Sequence, residues 1–332
     1  MTQFIPSIKR VDSTPSVPGD LQRGKTLAKE KRFDEALVEF EAVLRNNPSS
    51  LPAHLAAGNI KLRQKRHDEA LTHFQEAIRL DPLKPQSYLK AGRIYVLQNK
   101  LEKALEQFYN AIKLNPKLPI AYIAMGQIFL KQEKYEEAVQ QFKKAVSLNP
   151  RLVTARLRLA LAYSRQEKLQ DALSQLKSAL RIDPSNSVAY ASLGRIYLTQ
   201  QDYNAAYEAY QESINLNPEA PSSTRLGLAE TLIAQNQVQA ATEILSQIPQ
   251  NQSGARFHKL WGDVYHRQGL LKEATEEYQA AKLIAAEEGS NLDEMDNLDL
   301  LAQQDESQWE ELVESYRIAA DTAMAQRRSR RG

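Results

Sequence analysis

The chain has 332 residues and a net charge of +2, and its 42% apolar and 25% charged residues are the proportions of a globular protein. It has no cysteine, which excludes disulfide bonds, thiolate metal sites and cysteine nucleophiles and favours a reducing compartment. No apolar run is long enough for a secretion signal in residues 1–10 or for a spanning helix of ~18 residues elsewhere, so we expect a cytoplasmic protein that is soluble, with attachment to a membrane surface as the alternative.

The chain begins with a polar segment and then becomes periodic. Residues 1–16 contain two prolines and show no periodicity. Such a segment buries too little apolar surface to offset the entropy lost on ordering, so residues 1–16 are predicted to be a disordered extension. From residue 17 onward, a period of 34 residues is visible.

Four series of residues keep this period. An Asn-Pro or Asp-Pro pair recurs at Asn47-Pro48, Asp81-Pro82, Asn115-Pro116, Asn149-Pro150, Asp183-Pro184 and Asn217-Pro218. A small residue stands 24 places before each proline, at Gly24, Gly58, Gly92, Gly126, Ala160 and Gly194. Another stands 12 places before it, at Ala36, Ala70, Ala104, Ala138, Ala172 and Ala206. A bulky residue stands 8 places before it, at Phe40, Phe74, Phe108, Phe142, Leu176 and Tyr210. A register this strict predicts a repeated structural unit.

Each period has the pattern of two helices packed as a hairpin. In the third period Tyr88, Ala91, Gly92 and Tyr95 have the 3-1-3 spacing of one helical face. The small residues let the two backbones approach, and the bulky side chain fills the space beyond them. Proline has no amide hydrogen and disfavours helix at the residue before it, so it is predicted to end each second helix.

This pattern resembles the tetratricopeptide repeat (TPR) family, which has an aromatic residue, Leu-Gly, Tyr, Ala, Phe, Ala and Pro at the same spacings. The resemblance implies an all-α fold, a right-handed superhelical solenoid of helix-turn-helix repeats over residues 17–288. The eight predicted repeats are 17–50, 51–84, 85–118, 119–152, 153–186, 187–220, 221–254 and 255–288. The seventh is interpreted as degenerate, because it has Leu228 at the glycine place, Gln252 at the proline place and only Ala240 and Ile244 in the packing series. The eighth recovers Trp261-Gly262, Tyr265, Ala274, Tyr278 and Ala281.

The last predicted region, 289–332, combines an acidic segment, an amphipathic helix and an Arg-rich tail. Residues 287–316 hold eleven acids and no base. Ser307 to Glu310 has the form of a capping box, and the helical face after it is formed by Trp309, Leu312, Val313, Tyr316, Ala320, Ala323 and Met324. We predict a cap over the last repeat, with an intramolecular contact of 287–316 in the groove as the alternative. The tail Arg327 to Arg331 is predicted to be a solvated end.

A basic stripe is predicted on the first helices, at places 2, 5, 9, 12 and 13 of each repeat, beside the packing face. Its bases are Lys25, Lys29, Arg63, Arg93, Lys131, Arg165, Arg195, Arg225, Arg256, Lys259 and Arg267, and its one acid is Asp263. The whole chain is balanced, with 43 bases and 41 acids, so this excess indicates an anionic partner. In the TPR family the first helices line the concave side of the superhelix, so the resemblance places the basic stripe in a groove.

The fifth place of the repeat adds an apolar floor to that groove. It is occupied by Leu21, Leu55, Leu89, Ile123, Leu157 and Ala191. Apolar residues between bases suit an acidic segment with spaced hydrophobic residues, although part of this apolarity serves contact between repeats. The predicted partner-binding residues are Lys25, Leu55, Asn59, Arg63, Leu89, Arg93, Ile123, Lys131, Leu157, Arg165, Arg195, Arg225 and Lys259.

A chaperone-tail clamp, which some TPR proteins use to hold a C-terminal carboxylate, is not expected. Asn59 and Arg93 match two of the clamp's positions in type. However, Leu55 and Leu89 stand where the clamp has lysines. The partner is therefore expected to be held in another way.

No catalytic, cofactor or metal site is predicted. None of the five histidines forms an i, i+4 pair or a His-Glu-x-x-His motif, and His258 and His266 are too far apart on one helix for a shared metal ion. There is no Gly-rich phosphate loop and no Gly-x-Ser-x-Gly elbow. The acids at the start of second helices are explained by the positive end of the helix dipole.

The sequence therefore predicts a non-catalytic scaffold, adaptor or assembly factor that holds a protein or peptide with acidic and apolar residues. The alternative is a peripheral binder of an anionic surface, membrane or RNA, through the basic stripe and the Arg tail. Salt distinguishes them, because phosphate or lipid binding should collapse as salt rises, whereas a peptide anchored by apolar contacts should persist.

Overall fold

The computed structural model describes residues 20–249 and 254–288, and every regular element in these ranges is an α-helix. The helices are α1 (Leu21–Lys29), α2 (Phe33–Asn46), α3 (Leu51–Arg63), α4 (His67–Leu80), α5 (Pro85–Leu97), α6 (Leu101–Leu114), α7 (Pro119–Lys131), α8 (Tyr135–Leu148), α9 (Val153–Arg165), α10 (Leu169–Ile182), α11 (Ser187–Thr199), α12 (Tyr203–Leu216), α13 (Ser222–Ala234), α14 (Val238–Ser246), α15 (Ala255–Arg267) and α16 (Leu271–Glu288). The predicted extension 1–16 and the predicted region 289–332 lie outside the described residues. None of the described helices combines the length and the apolar character needed to cross a membrane.

The chain forms two compact units, and the boundary between them falls inside α9. Unit 1 ends at Ala162 and unit 2 begins at Tyr163. In unit 1, α1 packs on α2, α3 on α4, α5 on α6 and α7 on α8; in unit 2, α11 packs on α12, α13 on α14 and α15 on α16. The predicted all-α fold of tandem helix pairs is confirmed.

The Asn-Pro and Asp-Pro pairs end the second helices by two actions. Proline disfavours helix at the residue before it, and Asn47 and Asn149 accordingly have non-helical backbone angles. The side-chain oxygen of the Asn or Asp also accepts a hydrogen bond from the backbone N–H two residues later, as in Asn47 with Ser49 at 3.1 Å. The same bond recurs at Asp81, Asn115, Asn149, Asp183 and Asn217. The Asn or Asp before each proline therefore both ends the helix and stabilises the turn that follows it.

A left-handed residue ends each first helix and directs the chain into the second. These residues have φ between 57° and 76° and are Lys31, Lys65, Asn99, Glu133, Glu167, Gln201, Asn236 and Gly269. A left-handed residue just after a helix is the usual way to end it, and glycine is the residue that adopts it most easily. Only Gly269 among these eight described positions is a glycine, and the other seven residues adopt the left-handed conformation despite its steric cost.

Except in the seventh hairpin, the predicted small and bulky residues form the interior of the hairpins. Ala104 is fully buried and Phe108 is 2% exposed. A Cβ atom added at Gly92 would lie 2.6 Å from a ring carbon of Phe108, which is far too close. The ring therefore lies directly on the glycine backbone, as the sequence pattern predicted.

The seventh hairpin is packed one residue out of the predicted register. Helix α13 begins one residue later than the 34-residue period requires, after the loop that contains Pro218 and Pro221. Ala229, Ala241 and Leu245 are fully buried and have the spacing of Ala160, Ala172 and Leu176 in the fifth repeat. The interpretation that put Leu228, Ala240 and Ile244 at the packing places is wrong by one residue. The shift is removed after α14, which has 9 residues against 14 in α6.

Candidate functional site

The predicted bases of unit 1 lie on the surface, whereas the predicted apolar floor is mostly covered. Lys25, Lys29, Arg63, Arg93 and Lys131 are exposed. Asn59, Leu55 and Leu89 are partly buried, and each of the two leucines packs against a core cluster formed by its own hairpin and the next one. Leu157, in α9, is also partly buried, and Ile123 is only 4% exposed. Ile123 therefore packs in the interior and is removed from the predicted site.

Two exposed apolar residues on this surface were not predicted. Leu97 is 52% exposed and lies one helical turn after Arg93 on α5. Ile120 is 58% exposed and lies at the start of α7, which contacts α5. Both occupy places of the basic stripe, so listing the apolar residues at places 2 and 13 would have found them. The apolar part of this face is therefore formed by Leu97 and Ile120 more than by the fifth-place residues.

Three bases form a cation cluster in unit 1: Arg63, Lys90 and Arg93. Lys90 is partly buried, and its pKa is lowered, first by this burial and then by repulsion from Arg93 and Arg63. Among the described residues, no carboxylate lies within ion-pair distance of any of the three. Lys90 was missed because the sixth place is outside the predicted stripe. The signal was present in the sequence, since Lys90 is three residues before Arg93.

The bases at the thirteenth place connect successive repeats. The guanidinium of Arg63 lies 5.8 Å from the ring centre of Phe33. The Nζ of Lys131 donates to Asn99 Oδ1 at 2.6 Å, and a guanidinium nitrogen of Arg267 donates to the side chain of Asn236 at 3.1 Å. Part of the basic excess in the sequence therefore serves contacts within the array.

In unit 2 the structure corrects the placement of Arg225. Its guanidinium donates to the backbone carbonyls of Ala220 and Pro218, so it holds the loop before α13. Arg156 and Tyr88, at the fourth place of their repeats, likewise donate to the carbonyls of Pro150 and Pro82. The one-residue shift gives Arg225 this fourth-place role and removes it from the predicted site.

The same shift brings Glu230 to the ninth place of the seventh repeat, so the stripe of unit 2 contains a second acid. Glu230 pairs with Arg256, and Lys259 Nζ pairs with Asp263 Oδ2 at 2.9 Å. Arg165 and Arg195 are exposed, and no acid pairs with them in the part of the chain that the structure describes. The described part of unit 2 therefore has fewer uncompensated bases than the sequence predicted.

A pocket of 260 Å³ lies on the first-helix face of unit 2, and we call it the Arg195 pocket. It lies between α11, α12 and the start of α13, with Arg256 of α15 at one side. Its lining includes Val188, Ala191, Arg195, Tyr210, Pro221 and Arg256. Arg195 keeps an exposed surface, but the pocket around it removes part of the water from its guanidinium. This desolvation is the first cause that lowers its pKa, and repulsion from Arg165 and Arg256 acts in the same direction. This pocket was not predicted, although alanine at 191, where five other repeats have Leu or Ile, was visible.

The histidines make contacts within hairpins. His54 Nδ1 lies 3.1 Å from His73 Nδ1, and His54 Nε2 lies 2.9 Å from the carbonyl of Pro48. Because a carbonyl only accepts, His54 donates from Nε2, and its Nδ1 accepts from His73 in the neutral form of His54. His258 Nδ1 contacts Glu277 Oε2 at 2.7 Å. Within residues 20–249 and 254–288, no three His, Cys, Asp or Glu side chains are grouped so as to hold a metal ion.

The tandem hairpins, the glycine–aromatic packing and the Asx-Pro turns define a tetratricopeptide repeat protein. Residues 20–256 match the family model described as the Cilia and flagella-associated protein 70 C-terminal domain, and residues 217–303 match the model of a tetratricopeptide repeat-like domain. The chain belongs to the first of these families, since the match covers most of its length. Tetratricopeptide repeats typically form non-catalytic scaffolds for protein–protein interaction, and this is the general role that the fold supports.

Solved structures with the same fold are similar at low identity. PilF of Pseudomonas aeruginosa is 19% identical with a TM-score of 0.54, over 63% of this chain and 93% of that one. PilW, a type IV pilus biogenesis factor, is 19% identical with a TM-score of 0.55, over 59% and 91%. The APC/C hetero-tetramer Cut9-Hcn1 is 19% identical with a TM-score of 0.57, over 79% and 52%. A search of the curated proteins found no match. These similarities establish the fold and leave the partner to be inferred from the surface.

Proposed function

We propose that this protein is a scaffold that holds an acidic segment of a partner protein against the first-helix face of unit 1. The observation that carries the proposal is the cation cluster of Arg63, Lys90 and Arg93. The pKa of Lys90 is lowered first by burial and then by repulsion from Arg93 and Arg63, and among the described residues no carboxylate lies within ion-pair distance of these three bases. A bound carboxylate would relieve this repulsion, so the cluster favours an acidic partner.

Apolar surface beside the cluster supports a segment that is acidic and apolar together. Leu97 and Ile120 are each more than half exposed, and both lie on helices that carry or contact the cluster. Burial of such side chains stabilises a complex by roughly 25 cal/mol per Å² of apolar area, whereas the charges mainly set its orientation and rate of association. A segment that alternates acidic and apolar residues would use both features.

The test compares two charge reversals of equal size by quantitative affinity capture. Lys90→Glu with Arg93→Glu changes the cluster, and Lys103→Glu with Lys113→Glu changes two exposed bases of α6. We expect the amount of protein bound by the cluster variant to fall at least about tenfold, because the attraction between its bases and an acidic partner becomes repulsion. The α6 variant should bind the same amount as the wild type. Circular dichroism should show the same helicity for both variants.

Two results would contradict the proposal. Proteins captured equally by the cluster variant and the wild type would place the binding surface elsewhere. Association with phosphatidylserine vesicles or RNA that disappears steeply with rising salt, together with no salt-resistant protein partner, would favour the anionic-surface alternative.

A further inference from the structure

The Arg195 pocket exists because one repeat lacks a side chain that the others have. At the fifth place of the first five repeats stands a leucine or isoleucine, and the sixth repeat has Ala191. Ser192 follows it, and Ser223 and Thr224 line the opposite side at the start of α13. Small residues on both helices therefore leave a space that a leucine at 191 would occupy.

Among the residues that line this space, one positive charge has no acid paired with it in the part of the chain that the structure describes, and Arg165, outside the lining, is a further base that repels Arg195. Arg195 and Arg256 both line the pocket, and Glu230 pairs with Arg256. Tyr210 forms part of the lining and is 3% exposed. Burial raises the pKa of Tyr210 to about 12, so its phenol is neutral at physiological pH and adds no negative charge. The unpaired positive charge is thus that of Arg195.

Part of the remaining lining is apolar and open to a ligand. Val188 is 60% exposed, and Ala191, Ala220 and Pro221 complete an apolar surface beside the two arginines. A pocket of 260 Å³ has room for one side chain and part of a second. Its chemistry fits a short peptide with one charged and one apolar residue.

We infer that the Arg195 pocket is a subsite for a single aspartate or glutamate carboxylate carried next to an apolar residue. The inference deepens the proposed function and rests on it, because it names a second anchor for the acidic-apolar segment. A carboxylate carries one negative charge and matches the charge of Arg195, the lining residue to which no acid is paired among the described residues. A phosphoserine carries almost two, so part of its charge would be left unmatched by the residues that line the pocket. From the charge of the lining residues we therefore expect a carboxylate to bind more tightly than a phosphate.

The inference can be tested with capped dipeptides, without an identified partner. The probes are N-acetyl, N-methylamide forms of Leu-Glu, Leu-Gln and Leu-phosphoserine, titrated into the full chain. The readout is the chemical shift of ¹³C-labelled Val188 and Ala191 methyl groups. We expect saturable shifts with Leu-Glu and binding at least about tenfold weaker with Leu-Gln, since a charged hydrogen bond is replaced by a neutral one. Leu-phosphoserine should also bind more weakly than Leu-Glu.

Variants locate the binding in the pocket. Ala191→Leu introduces the residue found at the same place in four other repeats, so the helix tolerates it, and it should abolish the Val188 shifts. Arg195→Gln should reduce Leu-Glu binding to the level of Leu-Gln. The matched control is Arg181→Gln, which changes an exposed arginine of α10 and should have no effect.

Failure of the inference is distinct from failure of the proposed function. No shift with any dipeptide, equal binding of Leu-Glu and Leu-Gln, or tighter binding of Leu-phosphoserine would overturn the carboxylate subsite. The proposed function would remain, because it depends on the cation cluster of unit 1. Conversely, Leu-Glu binding that Ala191→Leu blocks would support the subsite even if the charge reversal at Lys90 and Arg93 left protein capture unchanged.

Discussion

The space between the packing glycine and the phenylalanine ring of a hairpin differs from repeat to repeat. A Cβ at Gly92 would lie 2.6 Å from the Phe108 ring, whereas at Gly58 the nearest atom, in the Phe74 ring, would be at 3.1 Å. Real Cβ atoms essentially never approach another atom to 2.6 Å, so alanine at position 92 would force the ring to shift. At 3.1 Å, a movement of the ring by a few tenths of an ångström would accommodate alanine at position 58. The fifth repeat has Ala160 in place of the glycine and Leu176 in place of the phenylalanine. The extra methyl group of the alanine is therefore matched by a side chain smaller than phenylalanine.

Gly92→Ala is expected to destabilise unit 1 by about 1–3 kcal/mol, because the methyl group forces the Phe108 ring out of its position. Gly58→Ala should cost clearly less, since the better helix propensity of alanine offsets a milder contact. Combining Gly92→Ala with Phe108→Leu should cost less than the sum of the single changes. Denaturation midpoints of the four variants measure this, and strict additivity would show that the ring is not the cause.

At the scale of the helix, the late start of α13 gives different roles to Arg195 and Arg225, which both belong to the predicted basic stripe. Arg225 holds the carbonyls of Pro218 and Ala220, and Arg195 lies at the exposed Arg195 pocket. The first is a structural contact of the loop before α13. The second is available to a ligand.

Arg225→Ala should therefore lower the stability of unit 2 by about 1–2 kcal/mol, because two backbone carbonyls lose their donor. Arg195→Ala should change it by less than about 0.5 kcal/mol, as is usual for an exposed side chain without structural partners. Hydrogen exchange of the amides in α13 provides the measurement. Faster exchange in the Arg195 variant than in the Arg225 variant would reverse the two assigned roles.

At the scale of the whole chain, the basic surface and the acidic segment 287–316 belong to the same molecule. The segment combines its eleven acids with Leu292, Met295, Leu298, Leu300 and Leu301, which are the features that the proposed partner requires. A tethered segment reaches an effective concentration as high as roughly millimolar where its linker spans the site. The alternative to the predicted cap is that this segment competes with the external partner.

A stop after Ala286 should then raise the affinity for captured partners, and a synthetic peptide of residues 289–316 should bind the truncated chain. The variant with Lys90→Glu and Arg93→Glu should bind the peptide more weakly, as we expect for the external partner. The measurement is peptide anisotropy together with the melting temperature of the truncated chain. A lowered melting temperature without peptide binding would show that the segment is a cap on the last repeat.

The sequence by itself determined the hairpins, because their signals are local. A small residue, an alanine and a bulky residue at fixed spacing, followed by an Asx-Pro turn, specify how two adjacent helices pack whatever lies elsewhere in the chain. The buried Ala104 and Phe108 and the turn at Asn47 follow directly from this pattern. The basic stripe was also visible, since its residues recur at fixed places of the repeat.

Only the tertiary structure decided which of these residues are available to a partner. A one-residue slip is hard to see in the seventh repeat, because Ala240 and Ala241 are both alanine and Leu228 is buried in either register. That slip turns Arg225 inward to the loop carbonyls and brings Glu230 to Arg256. The cation cluster and the Arg195 pocket likewise depend on side chains from different helices, and the distance between such side chains is set by packing rather than by spacing along the chain.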